Sequence, residues 1–582
     1  MNSIVCQCEI TLLFLNHRRH LYVYHLNITF ENHLITKITN ATSMTKTFLQ
    51  WDMIIPWKFP FTFKIQRIEQ LLSQINFPVL KRRSLIMGFV FLTTGIALTL
   101  QAQSIDAIEQ KVTEFTLDNG LTVIVIQRNI APVASFVTHV NVGSVNEEIG
   151  KTGLTHVFEH MAFQGSTSIG TTNWEEEQVV LKELDDAYRK WLFENRSSSP
   201  DEEKLEELWT EFIRLREKAG EYVVNNEFSQ IVEREGAVGL NAFVSADETA
   251  FFYSLPQHKT ELWFALEADR FSNPVMREFY TEKEVIMEER RDRIDNVPFG
   301  RLLEEFISTA FSAFPYKHHP IGWPSDIEAV TIRDAMAFFE RHYVPSNITI
   351  SIAGDVEPEH IRRYAEEYFG SMPAGETPPR VMTVEPPQRG ERRFVIEEES
   401  QPILLIGYHS VGMNHPDAVV MDLLSGVLFD GRTSRLYRRL VTDEQKALQI
   451  GGFNGFPGSR YPGLFLIYAV PNQGVGLDEI EKVVYEELDR IRNGDVATEE
   501  LDRVRTNARA SVLRGLASNQ GMALNFAQAQ NQRGSWRSIF TDLDEMEMVT
   551  VDDLQRVVET YFRKSSRTVG SVQTINNTDS NR

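Results

Sequence analysis

His156-Val157-Phe158-Glu159-His160 sets two imidazoles four residues apart, with a carboxylate next to the second. No Pro or Gly interrupts the stretch, and apolar residues surround the polar ones, so a helix is expected over it. On a helix, positions i and i+4 share a face. His156 and His160 are therefore able to point at one metal ion, with Glu159 close enough to take a proton from a water held there. H-x-x-E-H is the inverted order of the zinc-binding H-E-x-x-H pair. The plainer alternative is a helix whose two histidines fall four apart by chance.

Those residues need elements to hold them. Phe115 to Ile126 reads as two strands around an Asn119-Gly120 turn, a strong hairpin signal. Ser135 to Val142 reads as a further strand, and the loop Gly143 to Gly153 delivers the helix. Trp174 to about Tyr222 reads as a charged helical hairpin broken at Ser197-Ser198-Ser199-Pro200. Ser199 is its expected N-cap, with Pro200 and Glu202 following. Leu205, Leu208, Phe212, Leu215 and Ala219 form one apolar stripe, and a solvated packing arm is preferred to a dedicated binding device. Two histidines do not complete a catalytic zinc site, which takes three protein ligands and one open position. Thr281 to Arg290 supplies the candidate. Thr281 and Glu284 read as a capping box that starts a helix, and Glu282 and Glu289 fall on one face two turns apart.

Gly153 to Gly165, with its Gly-x-x-His-x-x-Glu-His, Phe163 and Gly165, resembles the active-site helix of the M16 metallopeptidases. That is the pitrilysin, insulin-degrading and mitochondrial-processing-peptidase group, and the resemblance is to a two-domain, bacterial-type member. It runs from about Phe115 to about Phe562. It implies an α+β chain of two related α/β sandwich domains (LuxS/MPP-like, mostly antiparallel sheet with helices packed on it) forming half of a clamshell. Glu282 to Glu289 resembles the family's Glu-Arg-x-Val-Ile-x-x-Glu, which implies Glu289 as the third Zn²⁺ ligand and Glu282 as support for catalysis. The implied reaction is cleavage of peptides or unfolded polypeptides by a zinc-activated water, with Glu159 as general base. Asn241-Ala242-Phe243-Val244-Ser245 resembles the family's Asn-Ala-x-Thr-Ser strand, except that Val244 replaces Thr. It implies Asn241 and Ala242 as substrate-binding residues on an edge that receives the substrate as an added strand; the alternative for Asn241 is that it only shapes the turn. His160 to Glu289 is longer than the usual family spacing, and the helical insertion at 174–222 accounts for the excess.

The implied domains are a metal-binding peptidase domain at 105–371, a Pro-rich linker at 372–392 and a repeat of the first plan at 393–575. His415 to Asp430 reads as a helix where the metal helix stood, without H-x-x-E-H. Gly431-Arg432-Thr433-Ser434-Arg435-Leu436-Tyr437 matches the family's Gly-x-x-Ser-Arg-Leu-Phe. Many members then carry an Arg and a Tyr that grip the substrate carbonyl, yet Leu440 to Gln449 has neither in place. This chain is accordingly expected to be the metal-bearing subunit of a pair, the partner supplying Arg and Tyr, or a homodimer. The alternative is that Tyr437 or a later Arg substitutes.

The 582 residues are 42% hydrophobic and 24% charged, a folded composition with room for two or more domains. A formal charge of −22 argues against a nucleic-acid partner. Lys81-Arg82-Arg83, the apolar run Leu85 to Leu100 and the Ala102-Gln103 junction read as a signal peptide at 81–102. Residues 1–80 then read as a spurious upstream extension without clear period, and the protein as periplasmic or secreted, or membrane-associated if uncleaved. Both cysteines, Cys6 and Cys8, precede that point, so the mature chain has no disulfide. Residues 576–582 read as a disordered tail. A different class of function is a non-catalytic peptide-binding or assembly subunit that kept the fold.

Overall fold

The computed structural model describes residues 7–15, 21–29 and 108–575. The chain divides into two units, Met1–Ile96 and Ala97–Arg582. In the first, β1 (Gln7–Leu15) pairs antiparallel with β2 (Leu21–Thr29), in a stretch whose sequence shows no clear strand period. The leader expected at 81–102 and the tail at 576–582 lie outside the described residues.

The second unit is built on two sheets. The first contains β3 (Val112–Thr116), β4 (Thr122–Gln127), β5 (Val133–Val140), β6 (Val238–Val244), β7 (Thr249–Pro256) and β8 (Ile348–Gly354). Their order is β3-β4-β8-β5-β7-β6, and only β4 and β8 run parallel. The β3–β4 turn closes on Gly120 at φ 95°, a conformation that favours glycine. Asn119 ties that turn to the carbonyls of Phe369 and Met372 at 2.8 and 3.0 Å. Every residue of β8 is buried, which is why it reads as a continuous apolar run rather than an alternation. β6 is an edge strand and the most exposed of the six.

The second sheet contains β9 (Arg392–Glu398), β10 (Ile403–His409), β11 (Ala447–Phe456), β12 (Leu464–Pro471) and β13 (Arg567–Thr574), in the order β11-β12-β10-β13-β9. Here only β13 and β9 are parallel. Both sheets are thus mostly antiparallel and helix-covered, an α+β architecture.

On the first sheet's inner face lie α1 (Leu154–Met161), the long hairpin α2 (Trp174–Asn195) and α3 (Glu202–Gly220), and α4 (Phe279–Arg290). Two expected helix starts move. The N-cap of α3 is Asp201 rather than Ser199, because its carboxylate accepts the backbone N–H groups of Glu203 and Lys204 at 3.1 and 3.2 Å. α4 begins at Phe279, after Glu278 in a left-handed conformation, two residues before Thr281. Glu284 is not drawn back to a cap; it pairs with Arg216 of α3 at 2.7 Å.

The two sheets exchange covers. α5 (Pro298–Ala310) follows the first sheet's helices in sequence, yet its Leu302, Phe306 and Ala310 pack on Ile403, Leu405, Leu466 and Val572 of the second sheet. A Cβ at Gly407 would approach the Phe306 ring to 2.8 Å, so glycine makes room for it. α6 (Ala418–Phe429) covers the second sheet's other face. α7 (Asn519–Arg533) and α8 (Ser538–Met548) belong by sequence to the second half. Their Met522, Phe526 and Phe540, with Trp536, cover Ile124, Ile126 and Val137 on the first sheet's outer face. Polar groups fix that contact: Asn531 accepts from Thr349 at 2.6 Å and donates to the His139 carbonyl at 2.9 Å, and Trp536 Nε1 donates to Glu114 at 3.0 Å.

Candidate metal centre

α1 starts at Gly153, whose φ of 91° and proximity to the Ile321 carbonyl leave no place for a Cβ. Its first backbone N–H groups have no partner within a helix. Glu147, buried in the preceding loop, supplies one: its two oxygens accept from Gly153 N at 2.9 Å and Thr155 N at 2.8 Å. A carboxylate there also opposes the positive end of the helix dipole. His318 Nε2 lies 3.2 Å from the same carboxylate. Beneath the helix, Phe158 stacks on Phe339 and tilts against Tyr343, with ring centroids 4.6 and 4.4 Å away. The apolar side is thus clamped, and His156, Glu159 and His160 face the cleft.

α4 brings Glu289 to them. Its Oε2 is 3.5 Å from His156 Nε2 and 3.5 Å from His160 Nε2. One ligand atom from each of the three residues lies within 4.8 Å of the others. Four donors about 2.0–2.1 Å from a tetrahedral Zn²⁺ sit roughly 3.3 Å apart, so this set fits that ion. Glu159 Oε2 is 4.0 Å from His156 Nε2. Glu282, one face with Glu289, reaches His160 Nδ1 at 3.0 Å. An ionised carboxylate only accepts, so Nδ1 carries the hydrogen and Nε2 keeps its lone pair toward the centre. Gln164, just past α1, holds the other Glu282 oxygen at 2.7 Å. His156 Nδ1 is buried with no hydrogen-bond partner.

Electrostatics separate the two imidazoles. Burial, then the neighbouring His160, Arg293 and His319, push His156 down to about 3, so it is neutral and free to donate its lone pair. Burial also opposes charge on His160, but the Glu282 hydrogen bond and the carboxylates of Glu282, Glu289 and Glu159 outweigh it and raise its pKa. Burial raises Glu159, assisted by Glu289 and resisted by His160 and Arg293.

The helical hairpin reaches this centre from behind. Glu177 of α2, fully buried, accepts a two-point grip from Arg277 at 2.7 and 2.9 Å. Arg277 also donates to the carbonyls of Gln164, Ser166 and Ile169 at 2.7–3.0 Å, fixing the loop that follows α1. Lys283 of α4 donates to Tyr188 Oη of α2 and to the Glu328 and Val330 carbonyls. The packing arm expected from the sequence is therefore tied by buried polar groups to both helices of the centre.

Asn241 and Ala242 sit in β6, which packs beside α1. Asn241 Oδ1 accepts from the Ala242 N–H at 2.9 Å, so the side chain serves its own strand. Sequence reasoning does not find Glu147, Gln164, Arg277, Arg293 or His319. Gln164, Arg277 and His319 act across a distance in the chain; Glu147 acts six and eight residues ahead with no helical spacing, and the one local signal is Arg293 four residues after Glu289, a helical pair spacing.

The second half has no such centre among its described residues. Ten of the twelve residues of α6 are buried and apolar or glycine. Tyr437–Asp443 is a π-helical segment. Arg435 is committed to Glu500 at 2.6 Å, and Arg439 to Glu444, Glu486 and Glu487.

Residues 122–196 match the family model for insulinase (peptidase family M16), and residues 329–508 match that for the peptidase M16 inactive domain. Both matches are to models of the M16 peptidase family. Zinc protease PqqE of Helicobacter pylori is 28% identical over 499 residues, spanning 84% of this chain and 97% of that protein. A probable mitochondrial-processing peptidase subunit beta of Schizosaccharomyces pombe is 26% identical, covering 70% of this chain and 79% of that one. Among solved structures, a protease from Helicobacter pylori superposes with a TM-score of 0.66 at 25% identity, over 80% of this chain and 99% of that one. The periplasmic protease PqqL of Escherichia coli, 16% identical, shares the fold over 80% of this chain and 47% of its own, with a TM-score of 0.58. The M16 two-domain fold is thus common to this chain and its neighbours.

Proposed function

We propose that this protein is a zinc-dependent endopeptidase acting on peptides or unfolded polypeptides, with His156, His160 and Glu289 as its metal ligands. The observation that carries this is one carboxylate oxygen 3.5 Å from each of two imidazole nitrogens, all three atoms within 4.8 Å of one another. Zinc in that set supplies a Lewis acid that polarises the scissile carbonyl and makes water more acidic. Glu159 takes the proton as the water oxygen attacks the carbonyl carbon, and returns it to the leaving nitrogen as the C–N bond breaks. Burial lifts the proton affinity of Glu159 above that of an ordinary carboxylate, which suits both transfers. Glu282 holds the His160 tautomer. β6 offers its open edge to an extended substrate at Asn241 and Ala242, Asn241 releasing the Ala242 N–H to the incoming strand.

The commitment of Arg435 and Arg439 to internal carboxylates favours a partner subunit, or a second copy, as the source of donors to the substrate carbonyl. A periplasmic or secreted setting is in keeping with the leader-like sequence at 81–102. Among the described residues, no helix is long and apolar enough to cross a membrane. The test is metal analysis with a peptide-cleavage assay on wild type and Glu159→Gln. The variant is expected to bind Zn²⁺ as wild type does and to lose about 10²–10⁴-fold in rate. Wild-type protein that binds Zn²⁺ stoichiometrically yet cleaves nothing would point to the missing partner subunit, whereas no cleavage and no Zn²⁺ would favour the non-catalytic subunit instead.

A further inference from the structure

α4 does not end cleanly. Beyond Arg290 the backbone widens into a π-helical turn, Arg291–Asp295, closed by the Asn296 N–H on the Arg291 carbonyl at 2.8 Å. Such turns in an α-helix often mark functional positions. This one is braced on three sides. Arg290 is buried and holds Glu304 in a two-point pair at 2.7–2.8 Å and the Gly322 carbonyl at 2.8 Å. Ile294 is buried in the core. Gly300 packs so close that a Cβ there would meet the Arg293 carbonyl at 2.3 Å. The backbone of Arg293 is therefore fixed, although its side chain is 69% exposed.

That side chain turns back one helical turn to Glu289. Its guanidinium lies 2.8 Å from Glu289 Oε1, while the other oxygen, Oε2, faces both histidines. Among the described residues Glu289 is the only ion-pair partner of Arg293. A free carboxylate can rotate to present both oxygens or either one. With Oε1 held by a cation on a fixed backbone, only Oε2 is left for a metal.

We propose that Arg293 is a positioning residue that makes Glu289 a one-oxygen metal ligand. It does for Glu289 what Glu282 does for His160: it occupies the atom that does not bind and so aims the atom that does. Removing such a partner weakens metal affinity by about 10–100-fold. The assignment rests on the zinc reading above, and it concerns the affinity and geometry of the site rather than the chemistry.

The test uses Zn²⁺ affinity, by chelator competition, and the visible absorption of the Co²⁺-substituted protein, on wild type, Arg293→Met and Arg293→Lys. Arg293→Met is expected to lose about 10–100-fold in Zn²⁺ affinity. Its Co²⁺ bands are expected to weaken, as Glu289 swings to offer both oxygens and coordination number rises. Arg293→Lys, which keeps a cation within reach of Oε1, is expected to recover most of the affinity and the wild-type spectrum; if Arg293→Met does not fold, Arg293→Ala at the same exposed position takes its place, with the same expected loss and the same overturning result. An unchanged affinity and spectrum in Arg293→Met overturns it. A loss of affinity with an unchanged spectrum overturns it too, because the ligand geometry is then the same without the guanidinium. Wild-type protein that takes up no Zn²⁺ overturns the zinc reading itself, a result distinguishable from the others by the wild-type measurement alone.

Discussion

α1 and α6 occupy corresponding places on two similar sheets and have opposite contents. α1 spends one face on Phe158, Leu154 and Met161 and gives the other to His156, Glu159 and His160. α6 gives almost its whole circumference to the core, with Leu423, Leu424, Val427 and Leu428 all buried. The cleft-facing helix needs outside help to stay in place: Glu147 at its N-terminus, Arg277 beyond its C-terminus, Gln164 and Glu282 around its ligand. The core helix is held mainly by burial. The lesson is that polar supports serve different ends at one fold position: around α6, Arg556 and Tyr561 on Asp417 and Asn454 on Asp422 hold a packed helix, whereas around α1 the supports also aim side chains at a candidate centre.

The largest expected effect falls on the ligands. His160→Ala or Glu289→Gln is expected to abolish stoichiometric Zn²⁺ binding, read by elemental analysis, and peptide cleavage with it. In the metal-free protein, His160→Ala is expected to lower unfolding free energy by about 1 kcal/mol, since the partly exposed imidazole has the Glu282 hydrogen bond to lose. Leu424→Ala in α6 inverts that pattern: about 2–5 kcal/mol of stability lost in urea unfolding, with Zn²⁺ still bound by the molecules that remain folded. Equal stability losses in the two helices would break the comparison.

A smaller effect is expected where the halves meet. Asp247, in the turn after β6, accepts from Tyr316 and from the backbone N–H groups of Ser459 and Arg460 at 2.7 and 3.0 Å. A Cβ on Gly458 would strike that carboxylate at 2.5 Å. Asp247→Asn turns an amide N–H₂ toward donors and is expected to cost about 1–3 kcal/mol, by the same urea measurement, without altering Zn²⁺ content.

The most gradual is a pH slope. Lys283 sits under the hairpin that the second half lacks, and burial pushes it down to about 7. Between that value and the ordinary lysine range near 10.4, the unfolded chain holds a proton that the folded chain has released. Stability is therefore expected to rise with pH across this window, by at most about 1.4 kcal/mol per unit. Below pH 7 both states are protonated and the penalty is constant. Lys283→Met should flatten the rise in melts recorded from pH 7 to 10; an identical slope in the variant would mean the ammonium, with its three acceptors, stays charged.

The sequence makes α1 legible because its information is local: an i, i+4 pair and a glycine before it suffice. The pairing of Glu282 with Glu289 is legible for the same reason. The helix starts of α3 and α4 are misread by two and three residues because Ser199 and Thr281 offer capping chemistry, while Asp201 captures two N–H groups and Glu284 finds Arg216 across the fold. The exchange of helices between sheets leaves no periodic trace at all. An amphipathic pattern records that α5 and α7 have an apolar face, not which sheet that face covers.

That exchange sets a schedule for synthesis. The strands of the first sheet are complete once Gly354 has been made, but its outer face stays bare until Phe526, Trp536 and Phe540 arrive. At about 5–20 residues per second, the interval is roughly ten to forty seconds. Throughout it Ile124, Ile126 and Val137 present an uncovered apolar surface to whatever is nearby. A nascent chain of this kind is a client for a holding chaperone before it is a protein, and a chain truncated near residue 370 never leaves that condition.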